Sequence, residues 1–347
     1  MPSLKLANLW RVISDVDLER IRASARTPFE LVVVAEDRQV GERLRAGLGA
    51  TAAGRVHPYV VVVDPEGLRQ RPTAPLVVLL ASPTPDLSVG MTGADEHCIR
   101  GRLPRVTVIV GTEARDAAAR RIGEHARVTV ADATHLPRPL LAAIIDLVDG
   151  DTRLAVAAAL PAFREVVAEA IVDETAKANA SFAVTTGLAE TIPVLSAPLN
   201  LGDMVVLTKN QLTMGYKIAL AAGRDEEPKA MITEILGVIG GGFLFRQVAR
   251  QLVGLIPVAG LVPKVAIAYA GTYAMGRGLT AWAIGGADVT AESLSRYTAE
   301  GLVKGRQMAQ QLLSQVAGGL PTPARSWQRL RGWLPSRSSR TPPSGRT

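Results

Sequence analysis

Residues 203–223, DMVVLTKNQLTMGYKIALAAG, and residues 237–277, GVIGGGFLFRQVARQLVGLIPVAGLVPKVAIAYAGTYAMGR, decide how the second half of the chain folds. Both are strongly apolar, yet single Lys, Arg, Asn and Tyr side chains are set into them at helical spacing. Asn210, Met214 and Lys217 share one face. Arg246 and Arg250 stand one turn apart on a second helix, and Tyr269, Tyr273 and Arg277 repeat that interval on a third. The pattern predicts helices over about 201–222, 229–256 and 260–285. Before them, the Ala-rich stretch from Arg153 to Ser181 gathers Leu154, Val156, Leu160, Phe163, Val166, Val167, Ala170 and Ile171 on one face, with Pro161 near a kink or break. After them, a last helix over about 290–317 starts at Thr290 as N-cap, with Ser293 behind it. Residues 151–320 therefore read as a helical domain.

Polar groups inside so apolar a bundle have two readings. They satisfy one another and Asp203, fixing helix register. Alternatively they form an anion pocket for a phosphate or a lipid headgroup, which guanidinium forks suit. The candidate cluster is Asn210, Gln211, Lys217, Arg246, Arg250, Lys264, Tyr269 and Thr272. Membrane insertion is equally open at this stage. A span needs about 20 apolar residues, and the longest run without a charge is the thirteen residues 251–263. Lys264 follows it, and one Lys at mid-bilayer costs about 2.5–3.5 kcal/mol. Gly237, Gly241 and Gly271 with Ala274 are expected to allow close helix contact, in lipid or in water.

Three strings in this half carry a resemblance: LTKNQLTM (Leu207–Met214), GGFLFRQVAR (Gly241–Arg250) and AYAGTYAMG (Ala268–Gly276). Together they resemble the bacterial YcjF-like domain of unknown function (family 697), over roughly residues 155–285. The resemblance implies a helical domain found beside GTPases and associated with the inner membrane. It implies no molecular activity.

The first half has a different grammar. Five continuous, β-branched runs, Leu31–Ala35, Tyr59–Val63, Leu76–Ala81, Val106–Val110 and Arg127–Val130, read as strands covered on both faces. Amphipathic pieces at Val40–Leu48, Arg115–Glu124 and Arg138–Val148 read as the helices between them. The fold class is thus α/β then all-α: a doubly wound, mostly parallel sheet over 29–150, followed by a helical bundle. An amphipathic surface helix precedes it, within 1–28. Leu6, Leu9, Trp10, Ile13, Val16 and Ile21 recur along that helix, and Pro28 ends it.

The strand order and spacing resemble a small GTPase-type P-loop domain whose motifs have eroded. Where a phosphate loop of the form G-x-x-x-x-G-K-[ST] is expected after the first strand, the chain reads Glu36-Asp37-Arg38-Gln39-Val40-Gly41-Glu42-Arg43. Gly41 keeps the second glycine. Glu42 stands where the phosphate-binding Lys belongs and Arg43 where the magnesium hydroxyl belongs, so charge that would attract phosphate now repels it. Loss of the first glycine also removes backbone freedom. Asp64-Pro65-Glu66-Gly67 keeps only the outline of Asp-x-x-Gly, and the interval from Glu42 is too short for a switch segment. The guanine-reading motif would fall near Gly111-Thr112-Glu113-Ala114 and has none of its residues.

The rest of the sequence narrows the function by exclusion. A sole cysteine, Cys98, rules out an internal disulfide, and His97 beside it makes no metal pair without further ligands. His57, His125 and His135 are scattered. Met1 is not followed by a secretion pattern. Of the net charge of +7, six arginines of residues 321–347 supply all but one unit, and that tail holds no acid. The basic balance is a feature of the C-terminal end, and no specific nucleic-acid face is expected. Trp327, Leu330, Trp333 and Leu334 among those arginines read as a short interfacial anchor in a disordered tail. The expectation is a non-catalytic scaffold with no cofactor and no metal, binding a protein partner (a GTPase among the candidates) and an anionic membrane surface on the cytoplasmic side. The rivals are a soluble cytoplasmic protein, a nucleotide-binding enzyme with an unfamiliar loop, and a multi-pass membrane protein.

Overall fold

The structure is a computed structural model that describes residues 16–51, 53–111, 119–122, 125–130, 136–190, 201–240, 261–287 and 289–317. Six strands form one sheet: β1 Leu31–Ala35, β2 Val60–Val63, β3 Val77–Ser82, β4 Arg105–Val110, β5 Ala119–Ile122 and β6 His125–Val130, in the order β2-β1-β3-β4-β6-β5. Five are parallel, with Leu31 level with both Val60 and Val77, and β5 runs antiparallel at the edge beside β6. In chain order the helices of the sheet region are α1 Leu18–Ser24, α2 Arg38–Gly49, α3 Pro65–Arg69, α4 Val89–Gly101 and α5 Arg138–Asp146.

The continuous apolar strands are explained by cover on both faces. Leu31, Val33 and Ala35 point into a core that includes α2 and α5, whereas Val32 and Val34 point at Leu68, Met91, Ala94 and Cys98 of α3 and α4. All five residues of β1 and all six of β3 are buried, which a half-solvated strand would not permit.

The helical half consists of α6 Gly150–Ala159, a 3-10 turn Pro161–Phe163, α7 Arg164–Glu190, α8 Leu201–Ala221, α9 Pro228–Gly240, α10 Leu261–Gly285 and α11 Ala291–Ala317. Pro161 breaks the expected long helix in two. Thr290 caps α11 as expected, its Oγ1 accepting from the Ser293 N–H at 3.1 Å. The α10 helix is the axis of the bundle and packs along α7 and α11. It approaches α11 so closely that a Cβ on Gly305 would lie 2.7 Å from the Ala266 carbonyl oxygen. One apolar core runs from the sheet through α2 and α5 into the bundle, joining Leu44 and Leu140 to Phe163, Val167 and Leu212.

Two expectations change. Arg115–Glu124 was expected to be a helix, but Ala119–Ile122 is the edge strand β5, paired Ala119 to Val128. Its Ala-Arg composition favours a helix locally. Tertiary pairing overrides that preference, and the two arginines suit an edge. Close helix approach was expected at Gly237, yet nothing lies within 4 Å of a Cβ there; close contacts are made instead at Gly215, Gly276, Gly301 and Gly305. Gly241 and the C-terminal part of the 229–256 helix lie outside the described residues, as do the N-terminal part of the first helix and the whole of 321–347.

Candidate functional site

In a doubly wound sheet with this order, ligands bind outside the carboxyl ends of the strands, where the order reverses beside β1. That crevice is flanked here by the β1–α2 turn and the β3–α4 loop. The β1–α2 turn is two residues long, Glu36 and Asp37, because α2 already begins at Arg38. Gly41, Glu42 and Arg43, expected in a phosphate loop, are therefore helical. The segment expected to be a phosphate loop is in fact mostly the start of a helix.

Each group at this edge has a local task. The Asp37 carboxylate accepts from the Gln39 N–H at 2.8 Å and caps α2. Glu36 reaches across the crevice, where its Oε1 accepts from Ser88 Oγ at 2.6 Å. Ser88 in turn caps α4, its Oγ accepting from the Met91 N–H at 3.1 Å. A Cβ on Gly90 would lie 2.6 Å from Glu36 Oε1, so the carboxylate rests on the first turn of α4. Helix N-termini hold partial positive charge and attract anions. At both of these, the chain supplies the anion itself.

Asp64 has a structural task. Its Oδ1 accepts from the Gly67 N–H at 2.6 Å and caps α3. Gly41 is small for packing reasons: a Cβ there would sit 2.6 Å from Val62 Cγ1 of β2. Glu42 Oε2 accepts from Arg45 Nη1 at 2.9 Å, and Arg45 Nε donates to the Val60 carbonyl at 2.9 Å, so both residues serve the exposed edge strand. Arg43 Nε donates to the Gln39 carbonyl at 3.4 Å. Of the guanine-reading positions only Gly111 is described. Cys98 faces inward from α4, and burial pushes its thiol up to about 11. Among the described residues no group of three or more His, Cys, Asp or Glu side chains could hold a metal.

The second candidate lies in the bundle, and the structure brings together only part of it. Asn210 Nδ2 of α8 donates to Asn179 Oδ1 of α7 at 2.8 Å. Asn179 Nδ2 donates to Thr272 Oγ1 of α10 at 2.9 Å, and Thr272 Oγ1 donates to the Ala268 carbonyl at 3.0 Å. Three helices are thus tied by neutral groups in the core. A turn away, Tyr269 Oη donates to Asp173 Oδ1 at 2.9 Å, and burial beside that carboxylate raises the phenol strongly. Arg277 Nη1 donates to Glu169 Oε1 at 2.6 Å, and Glu169 also pairs with Arg138 of α5. Lys217 is nearly fully buried on α8. Desolvation lowers it to about 8, against the opposing pull of Asp151 and Glu174. Gln211 is half-buried beside this group, and Lys264 is exposed at the start of α10. Arg246 and Arg250 lie outside the described residues, and the Asp203 side chain is likewise undescribed.

The residues that sequence reasoning missed are Asn179, Glu169 and Asp173, all on α7. The signal was available: Glu169 and Asp173 are spaced like Tyr269, Tyr273 and Arg277, four apart, as facing ladders on two packed helices must be.

No helix among the described residues is long and apolar enough to cross a membrane. No family model, no curated protein and no solved structure matches the chain.

Proposed function

We propose that this protein is a non-catalytic, membrane-associated scaffold or partner-binding protein, in which a pseudo-GTPase α/β domain is joined to a helical domain of the YcjF-like kind. The observation that carries the reading is the filled crevice: Asp37 and Glu36 occupy the two helix N-termini where phosphates would sit. A triphosphate brought there would meet two carboxylates and a two-residue turn too short to wrap it. In the helical half, Asn179, Asn210 and Thr272 are spent on one another across three helices, which supports a structural task for that cluster. The Arg- and Trp-bearing residues 321–347 supply the attraction to an anionic surface, at about 1 kcal/mol per basic residue close to the lipid. A GTPase is the partner class that the YcjF-like resemblance favours.

The test has two arms. Magnesium with GTP or ATP is expected to leave the melting temperature unchanged, because a ligand that binds only the folded state raises it; a rise of several degrees would overturn the non-catalytic reading. Vesicles containing anionic lipid are expected to sediment the full chain and to lose it when residues 321–347 are removed. Equal sedimentation of both chains would remove the tail from the account.

A further inference from the structure

The α1 helix has an unusual attachment. None of its seven residues is fully buried; Val16, Leu18 and Ile21 only rest against the core. Its firm connections are ionic. Arg22 Nε donates to Asp225 Oδ1 at 3.0 Å and Arg22 Nη2 to the Asp225 carbonyl at 2.8 Å, Arg26 pairs with the other carboxylate oxygen, and Arg20 stands 3.9 Å from Asp151. Asp225 belongs to the α8–α9 loop and Asp151 to the first turn of α6. Immediately afterwards the chain is pinned: Ala25 and Phe29 are buried, and the Phe29 ring meets Tyr59 edge-on at 4.8 Å.

Beside the strap lies a costly pair of neighbours. Tyr216 of α8 is fully buried, yet its hydroxyl has no hydrogen-bond partner. Burial pushes that phenol up to about 12, with Arg22 and Glu19 of α1 and Asp225 and Glu227 of the α8–α9 loop as the charges that act on it. Lys217, next in sequence, senses Arg20 of α1 along with Asp151 and Glu174. An orphaned hydroxyl held away from water costs free energy that hydration would return. The closed position of α1 is therefore held by partly exposed ion pairs, close to a hydroxyl whose burial is costly.

We propose that α1 is a releasable strap, hinged at Ala25–Phe29, that closes on α6 and α9 near Tyr216 and Lys217 of α8 and opens when its arginine–Asp225 pairs are screened or removed. Opening hydrates the Tyr216 hydroxyl and frees the Val16, Leu18 and Ile21 stripe together. The strap is thus the element of this fold that ionic strength controls, because exposed pairs are screened by salt and the buried core is not.

Hydrogen exchange on the full chain, read by peptide, tests this. Asp225→Asn removes two arms of the clasp at an exposed loop. It is expected to speed exchange in 18–24 roughly three- to tenfold, the effect of losing one or two exposed pairs, and to speed amine labelling of Lys217 with it. High salt should do the same to the unaltered chain. Tyr216→Phe removes the orphaned hydroxyl at constant shape and should act oppositely, slowing exchange in 18–24. Strands β1 and β3 should not change in any arm. Exchange in 18–24 that is indifferent to Asp225→Asn, salt and Tyr216→Phe overturns the strap. So does acceleration shared equally by β1 and β3, which marks global unfolding instead.

Discussion

The two halves of this chain use polar side chains in opposite ways. At the carboxyl edge of the sheet most act over two or three residues, Asp37 to Gln39, Asp64 to Gly67 and Ser88 to Met91, and only the Glu36–Ser88 bond reaches further. In the bundle they act across helices far apart in sequence: Asn179 to Thr272, Asp173 to Tyr269, Glu169 to Arg277. The sheet edge spends Asp37, Asp64 and Glu36 on closing its own helices. The bundle spends its polar groups choosing one register among the many that small aliphatic helices would accept.

The sharpest way to break this contrast is to ask whether the halves are energetically separate at all. Phe163 is fully buried in the turn between α6 and α7, within the core that runs from the sheet into the bundle. Phe163→Ala is expected to cost about 3–5 kcal/mol and to lower one shared unfolding transition, followed by circular dichroism and by tryptophan fluorescence together. Two separated transitions would mean that the sheet and the bundle are independent bodies in contact.

A smaller loss should follow from Asn179→Leu. The substitution leaves the Asn210 amide without its acceptor and Thr272 without its Asn179 donor, at about 2–3 kcal/mol by urea denaturation. The double variant Asn179→Leu with Asn210→Leu should recover part of that cost, since the amide left behind is then gone as well.

Strand and helix existence was legible where cover on both faces writes itself as an unbroken β-branched run. The runs Leu31–Ala35 and Val106–Val110 needed no partner to be recognised. Edge strand β5 was not legible, because Ala119-Arg120-Arg121-Ile122 carries helical composition and takes its form from β6. The crevice was half legible. Glu42 was legible as an acid on this segment, and the structure pairs it with Arg45; the groups that fill the crevice, Glu36 with Ser88 and Asp37 with Gln39, depend on where α2 starts. In the bundle the sequence marked Tyr269, Asn210 and Thr272 as polar intruders. The Glu169–Asp173 spacing offered a partner ladder for Tyr269, but Asn179 has no such signal, because its choice is made by how α7 packs on α8 and α10.

Lys217 gives a pH signature confined to the bundle. Its folded value is lowered to about 8 from 10.5, so between those values the unfolded chain binds more protons and stability climbs with pH. Below about 8 the full burial penalty applies; above 10.5 it has vanished. Lys217→Met is expected to remove that climb and to stabilise the neutral-pH protein by an amount of order 2 kcal/mol, checked by denaturation across the window. A climb that survives in Lys217→Met would assign it to another group.

The smallest effect is expected at the crevice. Glu36→Gln keeps an acceptor for Ser88, so stability should move by less than about 0.5 kcal/mol. Nucleotide binding should not appear either, because Asp37 still caps α2 and the turn remains two residues long.

The most direct measurement of the central claim follows the backbone amide signals of Gln39 and Met91 by NMR while magnesium and GTP are added to the full chain. With both N–H groups already given to Asp37 and Ser88, neither signal is expected to move. Saturable shifts of those two amides would show a phosphate displacing the chain's own caps, and would contradict the account.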